Sequence, residues 1–511
     1  MSAVVQSLTH SGSTGVVVDI ECHLSNNLPN IVIVGFANKA VEESKERIRG
    51  AFADSRIMLP RKRITVNLAP ADIPKADSGF DLAIAVSIML ADELVSTLAG
   101  PRAAFIGELG LDGSVRAVRG IIGKVLTGRT KGIEAFYVPA ANLRQAELVP
   151  DVTIYPVKNL GELYAHLTNI EPLAEVRTGV GTYQGAVSVP IAPVALSEVT
   201  GQARAKRALE IAAAGGHNVF FSGPPGTGKS MLAKALPSIL PPLEREEMLE
   251  VTHIHSLASH DYEQIITARP FRSPHHSASH VAITGGGFNL RPGEISLAHR
   301  GIMFFDELPE FSRQTLEALR QPLEDRIISV ARVKDSAEYP ANFILVATAN
   351  PCPCGYYGIT NTAGSTCRCL PGQILRYRQR LSGPILDRID LYSDVSEVKH
   401  DKLLKQNRDD KADKAIRRRI KQAREAQAKR YGRRDRLNSD MTNADIKQFA
   451  RLEAKAEDLL NQAAQRLNIS ARAYMRSVKV ARTIADLEKS DKITAAHLSE
   501  ALAYRRQTVS E

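Results

Sequence analysis

The chain has 511 residues, 44% apolar and 24% charged, with a formal net charge of +10. That is room for roughly three globular domains and excludes a disordered, low-complexity chain. The first residues, MSAVVQSLTHSGSTG, hold no basic stretch followed by an apolar one, and the longest nearly apolar run, Leu82 to Ala91, is well short of the ~18 residues of a membrane span. A cytoplasmic protein with no membrane partner is expected.

Residues 1–170 alternate short apolar runs with turn residues. Strands are expected at Gly15 to Ile20, Ile31 to Val34, Arg63 to Leu68 and Phe136 to Val138. Between them, NKAVEESKERIRGAFADS has helical spacing, and Asp81 to Leu90 reads as a buried helix. The region is an α/β domain. Residues 171–195, rich in Gly, Val and Pro, lack an amphipathic period and are expected to be a linker. A second α/β region follows over 196–395, and 396–511 reads as helical.

The second region carries its chemistry at strand ends. In VFFSGPPGTGKSMLAKAL an apolar strand meets a glycine-rich turn and then a helix, and Gly223, Pro224, Pro225, Gly226, Thr227, Gly228, Lys229 and Ser230 fit the phosphate-loop pattern G-x-x-x-x-G-K-[ST]. Glycines let backbone N–H groups wrap the phosphates of ATP, the lysine reaches the outer phosphates, and the serine hydroxyl can hold Mg²⁺. In GIMFFDELPEF a buried strand ends in Asp306, suited to the Mg²⁺ shell, and Glu307, suited to polarising an attacking water. FILVATAN is a third such strand, and its terminal Asn350 offers an amide that can orient the same water.

Directly after Asn350 comes NPCPCGYYGITNTAGSTCRC, with four of the chain's five cysteines. Disulfides are not expected in a reducing compartment. Cys352, Cys354, Cys367 and Cys369, paired as Cys-x-Cys twice, can gather around Zn²⁺; free thiols, a redox pair and an iron–sulfur cluster are the alternatives. Further on, residues 401–440 contain 15 Lys and Arg against 7 Asp and Glu. This is either a solvated helical face or a contact for a polyanion, with phosphate contacts dominating over base stacking because the chain has no Trp.

Together these motifs resemble the AAA+ ATPases. VTGQARAKRALEIAAAGGHN, FRSPHHSASHVAITGGGFNLRPGEISLAHRG and SGPILDRIDL resemble the magnesium-chelatase-like branch, and residues from about 5 to 505 resemble the bacterial ComM/YifB family. The resemblance implies an N-terminal Lon-protease-like α/β domain, a central AAA+ phosphate-loop α/β domain and a C-terminal helical lid. It also implies a homohexameric, Mg²⁺-dependent ATPase that drives branch migration on single-stranded and branched DNA during natural transformation. Arg388 in LDRID matches the arginine finger, which reaches a neighbouring subunit's γ-phosphate, and Arg472 in ISARAYMR matches the second sensor arginine, with Arg476 as its rival. The insert around Gly285, Gly286 and Gly287 and the hairpin bearing Lys334 match segments that either contact substrate or pack between subunits. Clusters like the four cysteines recur in the family.

The first domain resembles the Lon proteolytic domain without its chemistry. Aligning Pro74 and Lys75 with the Lon motif puts Gly79 where the serine nucleophile belongs, and Ile122 falls where the lysine base belongs. Ser78 and Lys124 are near but out of register, so no acyl-enzyme is expected. Two other readings stand beside the DNA motor. One is a metal-chelatase-type ATPase subunit, which residues 1–170 argue against. The other is a nucleotide-switched DNA-binding scaffold, which has no need of Glu307 and Arg388.

Overall fold

A computed structural model describes residues 2–11, 14–35, 42–71, 78–95, 102–179, 194–259, 261, 263–287, 290–331, 336–358, 366–398 and 409–505. The first sheet is built from β1 (Ser2–Ser11), β2 (Thr14–Ser25), β3 (Asn30–Val34), β4 (Arg63–Ala69), β5 (Ala103–Phe105), β8 (Ala135–Pro139), β9 (Val152–Val157) and β10 (Val176–Thr178), with a two-stranded ribbon of β6 (Glu108–Leu109) and β7 (Val115–Arg116) beside it. Its order is β10-β9-β8-β5-β1-β2-β4-β3. β4 alternates strictly, with Ile64, Val66 and Leu68 buried, as β-branched and aliphatic residues do on a half-covered sheet. All the expected strands of this region lie inside observed ones. The helix expected from the spacing of 38–55 is α1 (Ser44–Asp54), residues 38–41 lying outside the described ones. Helix α2 (Asp81–Ala91) is buried at every position but Leu90.

Within residues 171–195, expected as a linker, Val176–Thr178 add the edge strand β10 to the first sheet, and residues 180–193 lie outside the described ones. Val176 pairs with Ile154, and the Thr178 hydroxyl both accepts from Val152 N–H (3.1 Å) and donates to Val152 C=O (3.0 Å). Three residues are too few to show a period in the sequence.

The second sheet is wholly parallel, in the order β12-β15-β18-β11-β19, from β11 (Val219–Ser222), β12 (Phe271–Arg272), β15 (Ile302–Phe305), β18 (Ile344–Ala349) and β19 (Leu391–Asp394). β15 and β18 are buried at every residue, the pattern of a parallel sheet covered on both faces. Two hairpins lie outside it, β13–β14 (Gly285–Gly286 with Arg291–Pro292) and β16–β17 (Ile327–Ala331 with Ser336–Pro340); Lys334 lies outside the described residues.

Helix α3 (Ile121–Thr130) joins the two sheets by packing on α6 (Arg245–Ala258). A Cβ on Gly123 would stand 2.4 Å from the His253 ring, so only glycine permits this approach. In the chain, α4 (Ala203–Gly215) and α5 (Lys229–Ala235) come between α3 and α6. The C-terminal helices are α7 (Asp410–Tyr431), α8 (Ala454–Arg466), α9 (Ala471–Leu487) and α10 (Ala495–Ala503). They share one core with the parallel sheet: Val219, Phe221 and Phe304 belong to the same buried cluster as Ile420, Val480, Ile484 and Leu498.

Candidate nucleotide site and cysteine cluster

Parallel strands end together, and in open α/β sheets ligands bind at the carboxyl ends where the strand order reverses. Here β11 lies between β18 and β19, and the phosphate loop follows it. Gly226 and Gly228 have φ of 78° and 88° with open space where a Cβ would stand, whereas a Cβ on Gly223 would lie 2.2 Å from Val395 O. The first two glycines serve conformation and the third serves close packing. Lys229, 8% exposed, donates to Gly223 O (2.6 Å), Pro224 O (2.7 Å) and Asn350 Oδ1 (3.1 Å). Burial lowers its pKa against the opposing charges of Asp306 and Glu307.

Ser230 Oγ donates to Asp306 Oδ2 at 2.9 Å. Two oxygens on adjacent corners of a Mg²⁺ octahedron stand about 2.9 Å apart, so this hydroxyl and carboxylate fit that ion. Thr348 Oγ1 donates to Asp306 Oδ1 (2.6 Å) and accepts from Glu307 N–H (2.9 Å), and Asn350 Nδ2 donates to Glu307 Oε1 (3.4 Å). Glu307 has φ 54°, a left-handed conformation costly for a residue with a Cβ and concentrated at functional sites. Thr348 was not singled out from the sequence. Its signal is there: it is the one polar residue before the end of an apolar strand, two places before Asn350 and so on the same pleat face.

Residues 195–403 match the family described as magnesium chelatase, subunit ChlI; residues 20–142 match subunit ChlI of Mg-chelatase, and 410–505 match the ChlI C-terminal family. The chain is 40% identical over 514 residues to competence protein ComM of Haemophilus influenzae, covering 98% of this chain and 97% of that protein. It is 40% identical over 504 residues to the uncharacterized protein YifB of Escherichia coli, covering 98% and 97%. The chain belongs to the ComM/YifB family of magnesium-chelatase-like proteins. The magnesium-chelatase 38 kDa subunit of Rhodobacter capsulatus is a partial match, 29% identical over 185 residues, 33% of this chain and 52% of that one. These similarities support a ChlI-type ATPase.

In this ComM/YifB chain Arg388 lies at the other end of the sheet. It comes three residues before β19, whose Asp394 pairs with Ser222 at the phosphate-loop end. Four residues of strand, about 13 Å, separate the two ends. Arg388 pairs with Glu324 and donates to Pro384 O. It lines a cavity of about 850 Å³ together with Arg472 and Arg476 from α9. Arg476 donates to Ile389 O at 2.7 Å; for Arg472 no hydrogen bond occurs among the described residues. Lys229, Ser230, Asp306, Glu307 and Asn350 are thus brought together, and Arg388, Arg472 and Arg476 are brought together elsewhere.

The four cysteine sulfurs lie within 4.8 Å of one another, with Cys352–Cys354 at 3.3 Å, Cys354–Cys367 at 3.6 Å and Cys352–Cys367 at 3.8 Å. Tetrahedral Zn²⁺ with Zn–S bonds of ~2.3 Å sets sulfurs about 3.8 Å apart, so the set fits a closed four-thiolate site. The loop touches the nucleotide site: a Cβ on Gly355 would lie 2.4 Å from the Pro225 ring.

The basic segment is largely used inside the molecule. Arg417 donates to Ser238 O, Arg419 pairs with Glu210, Arg424 donates to Ala213 O and Arg430 pairs with Asp486. Lys414, Arg418 and Lys421 are exposed, with no side-chain hydrogen bond to another of the described residues. In the first sheet, Ile122 and Lys124 are both fully buried in α3; Pro74 and Lys75 lie outside the described residues, as does the side chain of Ser78.

Proposed function

We propose that this protein is a homohexameric, Mg²⁺-dependent ATPase that moves on single-stranded and branched DNA in the cytoplasm and catalyses branch migration during uptake of DNA by natural transformation. The observation that carries the reading is the separation of two half-sites. The phosphate loop, Asp306, Glu307 and Asn350 gather at one end of the parallel sheet, and Arg388 stands at the other, where it cannot serve its own loop. A ring closes the gap, because a head-to-tail contact sets one subunit's finger end against the next subunit's loop. Arg472 and its rival Arg476 line the same cavity as Arg388, and one of the two is the second sensor arginine of the lid.

Lys229 and the loop N–H groups bind the ATP phosphates. Ser230 and Asp306 hold Mg²⁺, which would neutralise phosphate charge. Glu307, oriented through Asn350, takes the proton of the attacking water. Arg388 of the neighbour stabilises charge in the transition state. Residues 196–395 form the AAA+ core and 396–511 the helical lid. Residues 1–170 form a Lon-like domain without a nucleophile–base pair, since Gly79 has no side chain and Ile122 carries no base. Cys352, Cys354, Cys367 and Cys369 bind structural Zn²⁺ and fasten the Asn350 loop to the phosphate loop. The insert at Gly285–Gly287 and the hairpin bearing Lys334 either contact the DNA or pack between subunits.

The test is ATP turnover by the purified protein with and without single-stranded and forked DNA. Stimulation by DNA, with movement of a branch point in a four-way junction, is the expected result. Turnover indifferent to every DNA form would favour the chelatase-type motor, to which the 38 kDa subunit similarity points. DNA binding gated by nucleotide without turnover would favour the scaffold.

A further inference from the structure

We infer that Asn218 is a positioning residue that sets the backbone of Arg388 from the foot of the phosphate-loop strand, and so ties the nucleotide site of one subunit to the finger it offers the next. The inference rests on the reading of Arg388 as a trans-acting group. Asn218 immediately precedes β11, whose far end carries the phosphate loop, and it is 4% exposed. Its side-chain Nδ2 donates to Arg388 O at 2.9 Å, and its Oδ1 accepts from Leu345 N–H at 2.9 Å, at the start of β18. Its carbonyl accepts from the N–H groups of Asp390 (3.1 Å) and Leu391 (3.0 Å), and its own N–H donates to Asp390 Oδ2 (3.2 Å). His217 Nδ1 meets the same carboxylate oxygen at 3.2 Å, while its Nε2 lies 2.8 Å from Thr483 Oγ1 on α9.

Every polar group of Asn218 is therefore engaged, and the turn from Arg388 to Leu391 is held from the foot of β11 as well as from the short helix Gly383–Leu386 before it, where the carbonyls of Ile385 and Leu386 accept from the N–H groups of Arg388 (2.9 Å) and Ile389 (3.1 Å). An amide is the only short side chain that presents a donor and an acceptor side by side. Aspartate keeps the acceptor for Leu345 and loses the donor to Arg388 O. Serine keeps a hydroxyl too short to span both. The Arg388 side chain then leaves a backbone whose position follows β11, a buried strand of four residues with the phosphate loop at its end. A misplacement of about 1 Å at a charge-stabilising group can cost on the order of 100-fold in rate.

The experiment compares Asn218→Asp and Asn218→Ser with the parent for ATP turnover, nucleotide affinity and thermal melting. Each is then mixed with Lys229→Ala subunits under conditions where native mass spectrometry shows mixed rings. The expected result is a turnover number reduced on the order of 10- to 100-fold, with little change in KM and a native melt kept but lowered by several degrees, because a buried partner of Asn218 loses its hydrogen bond. Turnover should recover in mixed rings, because Lys229→Ala subunits supply a correctly held finger to the intact phosphate loop of the variant. Arg388→Ala with Lys229→Ala is the reference pair. If that pair recovers and the Asn218 variants do not, the strut is overturned and the trans finger stands, since Asn218 then acts only on its own loop. If the reference pair stays inactive, the trans reading fails and the inference with it. Parental turnover in both Asn218 variants, or the loss of a native melt in both, would also overturn it, the latter by making Asn218 a core residue rather than a positioning one.

Discussion

Glu307 illustrates how single residues at this site combine strain with chemistry. Its φ of 54° is held by the N–H donated to Thr348 and by the amide of Asn350 on its carboxylate. Glu307→Gln keeps the shape and removes the base, so ATP binding should persist while turnover falls at least about 100-fold; equilibrium binding and steady-state hydrolysis measured on one preparation check both. Lys229→Ala should instead lose ATP binding, because the loop has no other cation among its residues 223–230. A third residue-scale prediction concerns acid. Burial opposes the charge of Glu250, but hydrogen bonds from His299 and Arg300 and the charge of Arg300 outweigh it and hold the pKa at about 2. A carboxylate with a depressed folded pKa stabilises the fold above its unfolded pKa and loses that contribution as pH falls. Glu250→Gln should therefore lower the melting temperature at neutral pH, and the gap to the parent should narrow as pH drops from about 4.3 towards 2.

At the scale of elements, α7 separates structural from available charge. Arg417, Arg419, Arg424 and Arg430 fasten the helix to the parallel-sheet core and to α9. Lys414, Arg418 and Lys421 are spaced by four and three residues on one exposed face. If this face meets DNA phosphates, replacing those three by Ala should flatten the salt dependence of DNA binding by up to about three charges' worth, whereas Arg417→Ala with Arg419→Ala should chiefly lower stability. Salt titrations of binding and thermal melts distinguish the two sets. The cysteine loop is the other element with a sharp expectation. Purified protein should carry about one Zn²⁺ per chain, and Cys367→Ser with Cys369→Ser should release it. Because the loop begins at Asn350 and touches Pro225, hydrolysis should fall while nucleotide binding is largely kept; elemental analysis and turnover assays check the pair of effects.

For the whole molecule, the contact between α3 and α6 is the place where the two sheets meet. Leu249 and Ile265 pack against the cluster that holds Leu8, Ile121 and Phe136, and Gln145 Nε2 donates to Gln264 O at 3.1 Å. Gly123→Leu would force a branched side chain into the His253 ring. Calorimetry should show unfolding at a lower temperature, with a first transition for the part around the eight-stranded sheet split from the rest, and ATP binding should survive because the phosphate loop is untouched. A single transition at the parental temperature would mean that the contact adds nothing to cooperativity. The C-terminal helices should not split away in the same manner, since Ile420, Val480, Ile484 and Leu498 share a core with Val219 and Phe221.

By itself the sequence determined the features that are local in the chain. The phosphate loop, the acids after β15 and Asn350 after β18 were legible because each is a strand followed at once by its functional residue, and the backbone conformation that exposes the residue is set by its neighbours. The strands Gly15 to Ile20 and Arg63 to Leu68 were legible for the same reason. Only the tertiary structure decided which distant groups meet. Thr348 joins Asp306 to Glu307 because β15 and β18 are adjacent in the sheet, and adjacency of parallel strands is not written in either strand. Arg388 and Lys229 are set at opposite ends because all five strands run the same way, and Arg419, Arg424 and Arg430 are tied down while Arg418 stays free for a partner because the first three lie over α4 or α9. β10 was missed because three residues carry no period, their strand character coming from the partner β9. Charge and spacing are properties of the chain, whereas burial, pairing and the sharing of one core across 196–505 arise only when long-range contacts offset the entropy of bringing those segments together.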